Sequence, residues 1–280
     1  MFEVNSIKSN RLSWFRTEHE FRHFAEIENR DDFFKAENYA KEKGLPKFFL
    51  GNGSNVFFAK KKIETLVLKN SIPKTIEPLG NDEFKISSSF SLSRLLKSLL
   101  EESRDAPYNL ASVPATVGGA LAMNAGTGRK GDRFLGQFLK RVEVWKEGEV
   151  FELSVSELDL SFRESIFSEK DSGFIATCVF CFPKVEIEGN PIKERIAWAR
   201  EHQELGVPNC GSTFRKSSGP LLRFTQKVFV KCPAYISSKS IIWVSNRSSS
   251  SLWLRSLFFF VKFLHRLCFK RLEFEVRIVK

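Results

Sequence analysis

Apolar positions recur along the chain at two spacings, and these predict an alternation of helices and strands. Between Asp31 and Lys43, Phe33, Phe34, Ala36, Tyr39 and Ala40 repeat at helical intervals, and Gly44 supplies a stop. Leu45–Leu50 then reads as a buried strand, Gly51–Asn55 as a polar loop and Val56–Ala59 as the next strand. Ile63–Leu68 and Phe84–Ile86 continue as strands, followed by a helical stripe of Leu92, Leu95, Leu96, Leu99 and Leu100. Val142–Trp145, Val150–Leu153 and Phe174–Phe182 predict three more strands, and Pro191–Glu204 a helix with proline in its first turn. At the end, Leu272–Val279 alternates as a single strand, with Glu273, Glu275 and Arg277 on one face and Leu272, Phe274, Val276 and Ile278 on the other. The expectation is an α+β protein without internal repeats.

The 280 residues are 42% hydrophobic, enough for two or three packed lobes. The net charge of +11 changes the picture only through its placement. Residues 205–280 hold 14 of the 44 Lys and Arg but only 2 of the 33 Asp and Glu, so the remainder is near neutral. No acidic residue occurs from Leu205 to Leu272, no glycine follows Gly219, and Ser248–Ser251 and Phe258–Phe260 form runs. Within this segment, Leu252–Phe269 reads as an amphipathic helix with Arg255, Lys262, Arg266 and Lys270 on a basic stripe. The preferred expectation packs its apolar face on the protein with the cations in water, and the alternative lays it on an anionic membrane. A partner nucleic acid is not expected, because the charge is confined to one apolar third with no recognised module. Five cysteines without regular spacing suggest reduced thiols and a cytoplasmic protein, and neither a secretory leader nor a membrane span is expected.

Two segments carry candidate chemistry. In Gly51-Asn52-Gly53-Ser54-Asn55, the glycines permit positive backbone dihedrals that turn successive N–H groups toward an anion such as a diphosphate. The pentapeptide alone fits an ordinary turn as well, and it lacks the third glycine and following helix of a dinucleotide fingerprint. A second run of small residues, Ser112–Ala120 continuing to Met123-Asn124-Ala125-Gly126, would let a bulky cofactor approach closely. Cys178 and Cys181 would point to opposite faces of a strand and read as core thiols. His19 and His23 could share a helical face, but no third metal ligand accompanies them, so no metal is expected.

In order, these segments resemble the UDP-N-acetylenolpyruvoylglucosamine reductase family. GNGSN at 51–55 is similar to its GxGSN loop and SVPATVGGALAMNAG at 112–126 to its IPGTVGGAxxMNAG segment. Phe162-Arg163-Glu164-Ser165 is similar to YRxS, Gly211-Ser212-Thr213-Phe214 to GSxF, and Leu272–Val279 to the final LxxEVRI strand. The short interval between Arg163 and Ser212 looks like the branch lacking an extra substrate-covering insertion.

The resemblance implies a two-lobed FAD-binding fold of the vanillyl-alcohol-oxidase/PCMH type plus a C-terminal α+β substrate lobe. Lobes are expected at 1–72 and 73–203, the substrate lobe at 204–272 and a strand with the catalytic carboxylate at 273–280. It also implies bound FAD, NADPH as co-substrate and UDP-N-acetylglucosamine enolpyruvate as substrate. The cofactor would be held by Gly51, Asn52, Gly53, Ser54, Asn55, Ser112, Pro114, Thr116, Gly118, Gly119, Asn124 and Gly126. Arg163 would stabilise an enediolate, Ser212 would donate a proton, and Glu275 would assist.

Several positions depart from the family pattern. Phe21–Ala25 stands where two glycines are expected, Ala115 replaces a glycine, Phe162 replaces a tyrosine, and Lys216-Ser217 stands where Asn-Pro commonly follows. Across Phe224–Arg271 only the spacing survives, which points to extreme drift or to compensating reading-frame shifts. The alternative function is therefore a catalytically degenerate FAD-binding protein, peripheral to a membrane through the basic helix.

Overall fold

The computed structural model describes residues 2–126, 133–168 and 172–280. In chain order the first elements are β1 (Asn5–Ser9), β2 (His19–Ile27), α1 (Arg30–Lys43), β3 (Lys47–Leu50), β4 (Val56–Phe58), β5 (Lys62–Ile63) and β6 (Leu66–Asn70). There follow β7 (Ile76–Gly80), β8 (Glu83–Ser87), α2 (Leu92–Glu101), α3 (Val117–Ala122), β9 (Leu139–Lys146), β10 (Glu149–Ser154), β11 (Phe174–Cys181) and α4 (Pro191–His202). The remainder comprises β12 (Asn209–Ser212), β13 (Phe214–Lys216), α5 (Gly219–Val228), β14 (Ala234–Ile236), β15 (Trp243–Asn246), α6 (Leu252–Leu267), β16 (Glu273–Phe274) and β17 (Arg277–Val279). Contacts divide the chain into two units, the first built mainly from Ala25–Asn52 and Val67–Trp198, the second from Asn5–Phe24, Gly53–Leu66 and Ala199–Lys280.

The first unit centres on a five-stranded sheet, β10-β9-β11-β8-β7, whose neighbouring strands are antiparallel. Ile86, Val142, Val144, Cys178 and Phe180 point into its core, and Leu92, Leu95, Leu96 and Leu99 of α2 join the same cluster. Each such leucine contributes roughly 1.5–3 kcal/mol by leaving water, so the stripe fixes which side of α2 turns inward. Helix α1 forms where its signals agree: Asn29 accepts from the Asp32 N–H at 3.0 Å, and the Gly44 N–H closes the other end on Ala40 and Lys41 carbonyls.

The second unit is held by Phe15, Phe57, Phe214, Leu222, Leu254, Leu257, Phe258, Val261 and Val276. Strands β12-β15-β14 form one sheet, β13 pairs with β16 antiparallel, and β4 pairs with β17 in parallel. The compositionally aberrant Phe224–Arg271 is thus organised as the end of α5, β14, β15 and α6.

Three expectations are corrected. Ile63–Leu68 is two strands, β5 and β6, interrupted at Glu64–Thr65. Leu272–Val279 is likewise two, because the N–H groups of Glu275 and Val276 both turn to the Thr213 carbonyl, at 2.9 and 3.5 Å, and the chain changes partner from β13 to β4. The buried positions are accordingly Val276 and Val279, three apart, and the simple alternation fails. His19 and His23 lie on strand β2 and not on a helix. His19 is buried, with Nδ1 at 2.7 Å from the Lys60 carbonyl and Nε2 at 2.7 Å from the Thr17 hydroxyl.

Of the two thiols read as core residues, Cys178 is fully buried and burial pushes its thiol up, whereas Cys181 is half-buried. All five cysteines are unpaired with one another. No helix among the described residues is long and apolar enough to cross a membrane.

Candidate functional site

In the first unit, Gly51 and Asn52 are fastened to the Ser112–Gly126 segment. The Asn52 side-chain amide donates to the Pro114 carbonyl at 2.7 Å. A methyl group on Gly51 would meet Thr116 Oγ1 at 2.8 Å, so only glycine allows this backbone approach. From the other side, the Lys69 ammonium donates to the Gly51 carbonyl. Burial pulls that ammonium below the usual lysine range, opposed by the charge of Glu26.

The Ser112–Gly126 segment is itself anchored from beneath. The N–H groups of Val117, Gly118 and Gly119 go to the Phe90 carbonyl, the Ser88 carbonyl and Thr116 Oγ1, at 2.9, 2.8 and 3.2 Å. These amides are spent internally, so this segment offers a close-approach surface and not an anion nest. Gly118 has no room for a side chain, since a Cβ would sit 2.6 Å from that of Ser88. Ser88 is fully buried and its hydroxyl accepts from the Asn70 amide at 2.7 Å. The last two residues of β6, Lys69 and Asn70, therefore brace both parts of the cradle. Ser112 accepts from Arg195 Nε at 3.0 Å, and Gly126 lies against the Phe134 ring.

Arg163 is built onto this segment. It occupies the tip of a tight turn closed by reciprocal Ser161 and Glu164 backbone bonds, at φ 61°. The Asn124 side-chain amide donates to the Ser161 carbonyl at 2.8 Å, and the Ser165 hydroxyl to the Ala122 carbonyl at 2.8 Å. A left-handed conformation costs a non-glycine residue about 1–2 kcal/mol. Such strain persists where the surroundings dictate it, as at functional sites. Asn124 is also left-handed, at φ 37°, and its buried Oδ1 has no hydrogen-bond partner among the described residues.

In the second unit, Gly53 takes φ 69° with its Cα packed so closely on the Leu12 carbonyl that a Cβ would lie 2.2 Å away. The N–H groups of Gly53, Ser54 and Asn55 have no internal acceptor among the described residues, which fits a loop that receives an anionic ligand. Asn55 serves a different end. Its side-chain amide donates to the Glu275 carbonyl at 3.1 Å, and its own carbonyl accepts from the Arg277 N–H at 3.0 Å.

Ser212 closes β12 after Gly211, which takes φ 68° and donates its N–H to Asn209 Oδ1 at 3.0 Å. Its neighbour Thr213 is fully buried and offers its carbonyl to the Glu275 N–H at 2.9 Å. The Ser212 and Glu275 backbones therefore run side by side, both half-buried. Thr213 Oγ1 is buried without a hydrogen-bond partner among the described residues. Glu273, two positions before Glu275, is committed to Arg215, Lys216 and Arg271.

Sequence reasoning missed Lys69, Asn70, Ser88 and Arg195. The signal for Ser88 was available in the run Ser87-Ser88-Ser89, three buried hydroxyls at the end of β8. Among the described residues no cluster of His, Cys, Asp and Glu could hold a metal ion.

Known proteins resemble this chain in sequence and in fold. A family model described as an FAD binding domain matches residues 21–154. The UDP-N-acetylenolpyruvoylglucosamine reductase of Clostridium botulinum (strain Eklund 17B / Type B) is 32% identical over 223 residues, covering 76% of this chain and 71% of that protein. A crystal structure of the UDP-N-acetylenolpyruvylglucosamine reductase of Thermus caldophilus superposes over all of both chains with a TM-score of 0.78 at 19% identity. A BBE-like protein of Physcomitrella patens matches 65% of this chain and 43% of its own, with a TM-score of 0.50 at 14% identity. The fold is α+β and of the FAD-binding type shared with these proteins.

Proposed function

The chain belongs to the UDP-N-acetylenolpyruvoylglucosamine reductase family, a family of FAD-dependent oxidoreductases, and on that premise we propose that it reduces UDP-N-acetylglucosamine enolpyruvate to UDP-N-acetylmuramate with NADPH as electron donor. The reaction serves peptidoglycan precursor synthesis in the cytoplasm. The observation that carries the reading is the seating of the Arg163 turn on the Ser112–Gly126 segment through Asn124 and Ser165. It holds the Arg163 backbone against the segment assigned to flavin.

Bound FAD would supply the hydride for reduction of the enolpyruvyl double bond, with NADPH as the source of the electrons. The residues assigned to its retention are Gly51–Asn55, Ser112, Pro114, Thr116, Gly118, Gly119, Asn124 and Gly126. Arg163 binds the substrate carboxylate, on which negative charge grows as an enediolate, and its two parallel N–H groups match that geometry. Ser212 supplies a proton from its hydroxyl to the carbon next to that carboxylate. Glu275, on the backbone adjoining Thr213, supports the proton transfer.

The test is a purified preparation. A yellow protein that oxidises NADPH only with the enolpyruvyl sugar nucleotide present, and yields the lactyl ether, meets the reading. The Ser212→Ala variant is expected to accept electrons from NADPH at the normal rate but to pass them to the substrate on the order of a hundred- to ten-thousand-fold more slowly. Yellow but inert wild-type protein would sink turnover while leaving FAD binding in place, the outcome expected of a degenerate member.

A further inference from the structure

Helix α6 has two apolar sides, and only one is covered. Leu254, Leu257, Phe258 and Val261 enter the core of the second unit, and His265 is buried beside them. On the opposite side stand Leu252, Phe259, Phe263 and Leu267, which are 62%, 72%, 52% and 61% exposed. At about 100° per residue, these four fall within a sector of roughly 80°. Arg255, Lys262 and Arg266, all exposed, form the adjoining flank, with Lys262 also reaching the Phe274 ring at 5.0 Å. Helix α5 repeats the combination: Arg223, Phe224, Lys227 and Val228 face outward, and the Phe224 ring stacks on Phe260 of α6 at 6.3 Å. Beyond the helix ends, Val230 and Phe269 are exposed, accompanied by Lys231 and Lys270.

Exposed apolar residues scattered singly are ordinary on protein surfaces, but a contiguous aromatic and aliphatic stripe marks a contact site. Charge selects the occupant. No carboxylate occurs between Leu205 and Leu272, and Glu273 is already held by Arg215, Lys216 and Arg271. A second copy of the same face would set Arg and Lys against Arg and Lys without a counter-charge. A helix with a Phe and Leu stripe and a flank of cations is the chemistry that rests in the headgroup region of an anionic bilayer. With 16 residues, α6 is also too short to span the roughly 20 residues of a hydrocarbon core.

We propose that the outward faces of α5 and α6 form a docking surface for an anionic lipid bilayer. The helix α6 lies in the plane of the membrane, Leu252, Phe259, Phe263 and Leu267 enter the acyl boundary, and Arg255, Lys262 and Arg266 contact lipid phosphates. None of these side chains is among the residues assigned to flavin or to the chemical step.

The experiment is co-sedimentation of the full chain with sucrose-loaded vesicles, either of phosphatidylcholine alone or of phosphatidylcholine mixed with phosphatidylglycerol, at low salt. The protein is expected to pellet with the mixed vesicles only, and to be released by added salt as surface charges are screened. The triple variant Arg255→Gln, Lys262→Gln, Arg266→Gln should partition on the order of a hundred-fold more weakly, at roughly five-fold per cation. Phe259→Ser with Phe263→Ser should weaken it comparably. Because these side chains are exposed, thermal unfolding and flavin content should stay unchanged and serve as the control for folding. Failure to pellet with the mixed vesicles, equal pelleting with phosphatidylcholine alone, or binding that survives the double Phe substitution would each overturn the proposal. So would sedimentation velocity showing a dimer that this substitution dissolves, since the occupant would then be a second copy.

Discussion

The side chain of Asn52 donates to the carbonyl of Pro114 at 2.7 Å, across 62 positions of sequence. It joins the first glycine loop to the second. A hydrogen bond of this kind has a net value of about 0.5–1.5 kcal/mol. Asn52→Ala should therefore weaken FAD retention by up to roughly ten-fold, measured by flavin fluorescence titration, with little effect on overall stability. An unchanged affinity would mean that the loops are held by Lys69 and Thr116 alone.

Gly118 faces Ser88 with no space between them. Gly118→Ala should destabilise the protein by about 1–3 kcal/mol, since Ser88 lies in a filled region and its carbonyl holds the Gly118 N–H. Adding Ser88→Gly removes the Cβ that the new methyl meets and should recover part of the loss in a denaturant melt. A double variant no better than the single one would place the conflict on the Ser88 carbonyl.

Arg163 separates activity from stability. Arg163→Gly removes the guanidinium while relieving a left-handed conformation that costs roughly 1–2 kcal/mol in any other residue. Glycine's added chain entropy offsets about 0.5–1 kcal/mol of that gain. The expected variant melts at or slightly above the wild-type temperature, keeps its flavin and loses turnover on the order of a hundred- to a thousand-fold. Arg163→Lys should retain the strain and lose activity by a similar factor, because an ammonium cannot present two parallel donors.

His19 predicts a pH dependence of stability. Burial lowers its affinity for a proton from the ordinary value of 6.5, against the raising effects of the Lys60 carbonyl and Glu18. Below pH 6.5 the unfolded chain therefore binds a proton that the folded chain refuses. Stability should fall as pH drops through that value and stay level above it. Chemical denaturation at stepped pH would show the slope, and His19→Asn should flatten it. A slope of equal size in the variant would assign the effect to other groups.

The sequence carries the amphipathic helices plainly, because α1 and α2 bury a single stripe and expose the rest, and periodicity reports that difference. It also places Arg163, Ser212 and Glu275 in motifs, and the structure sets Ser212 and Glu275 on adjoining backbone within the second unit. The break at Glu275 stays hidden because apolar and polar residues continue to alternate across it, while the change of strand partner is a tertiary event. Lys69 and Asn70 look like the polar end of a strand, and their bonds to Gly51 and Ser88 depend on loops distant in sequence. In α6 the cations suggest one wet face, yet Phe259 and Phe263 share that side with them, and only burial separates these rings from Phe258.

The parallel pairing of β4 with β17 joins Val56–Phe58 to Arg277–Val279 across most of the intervening fold, and Asn55 adds two hydrogen bonds to the same junction. During synthesis, the edge of β4 emerges from the ribosome long before Arg277–Val279 exist. A nascent chain must therefore hold Val56–Phe58 unpaired until Arg277–Val279 have been made, and closing a loop of this length is slow. A premature stop before Leu272 would remove Glu275 and, by the same stroke, leave the far older Gly53–Asn55 turn without its brace.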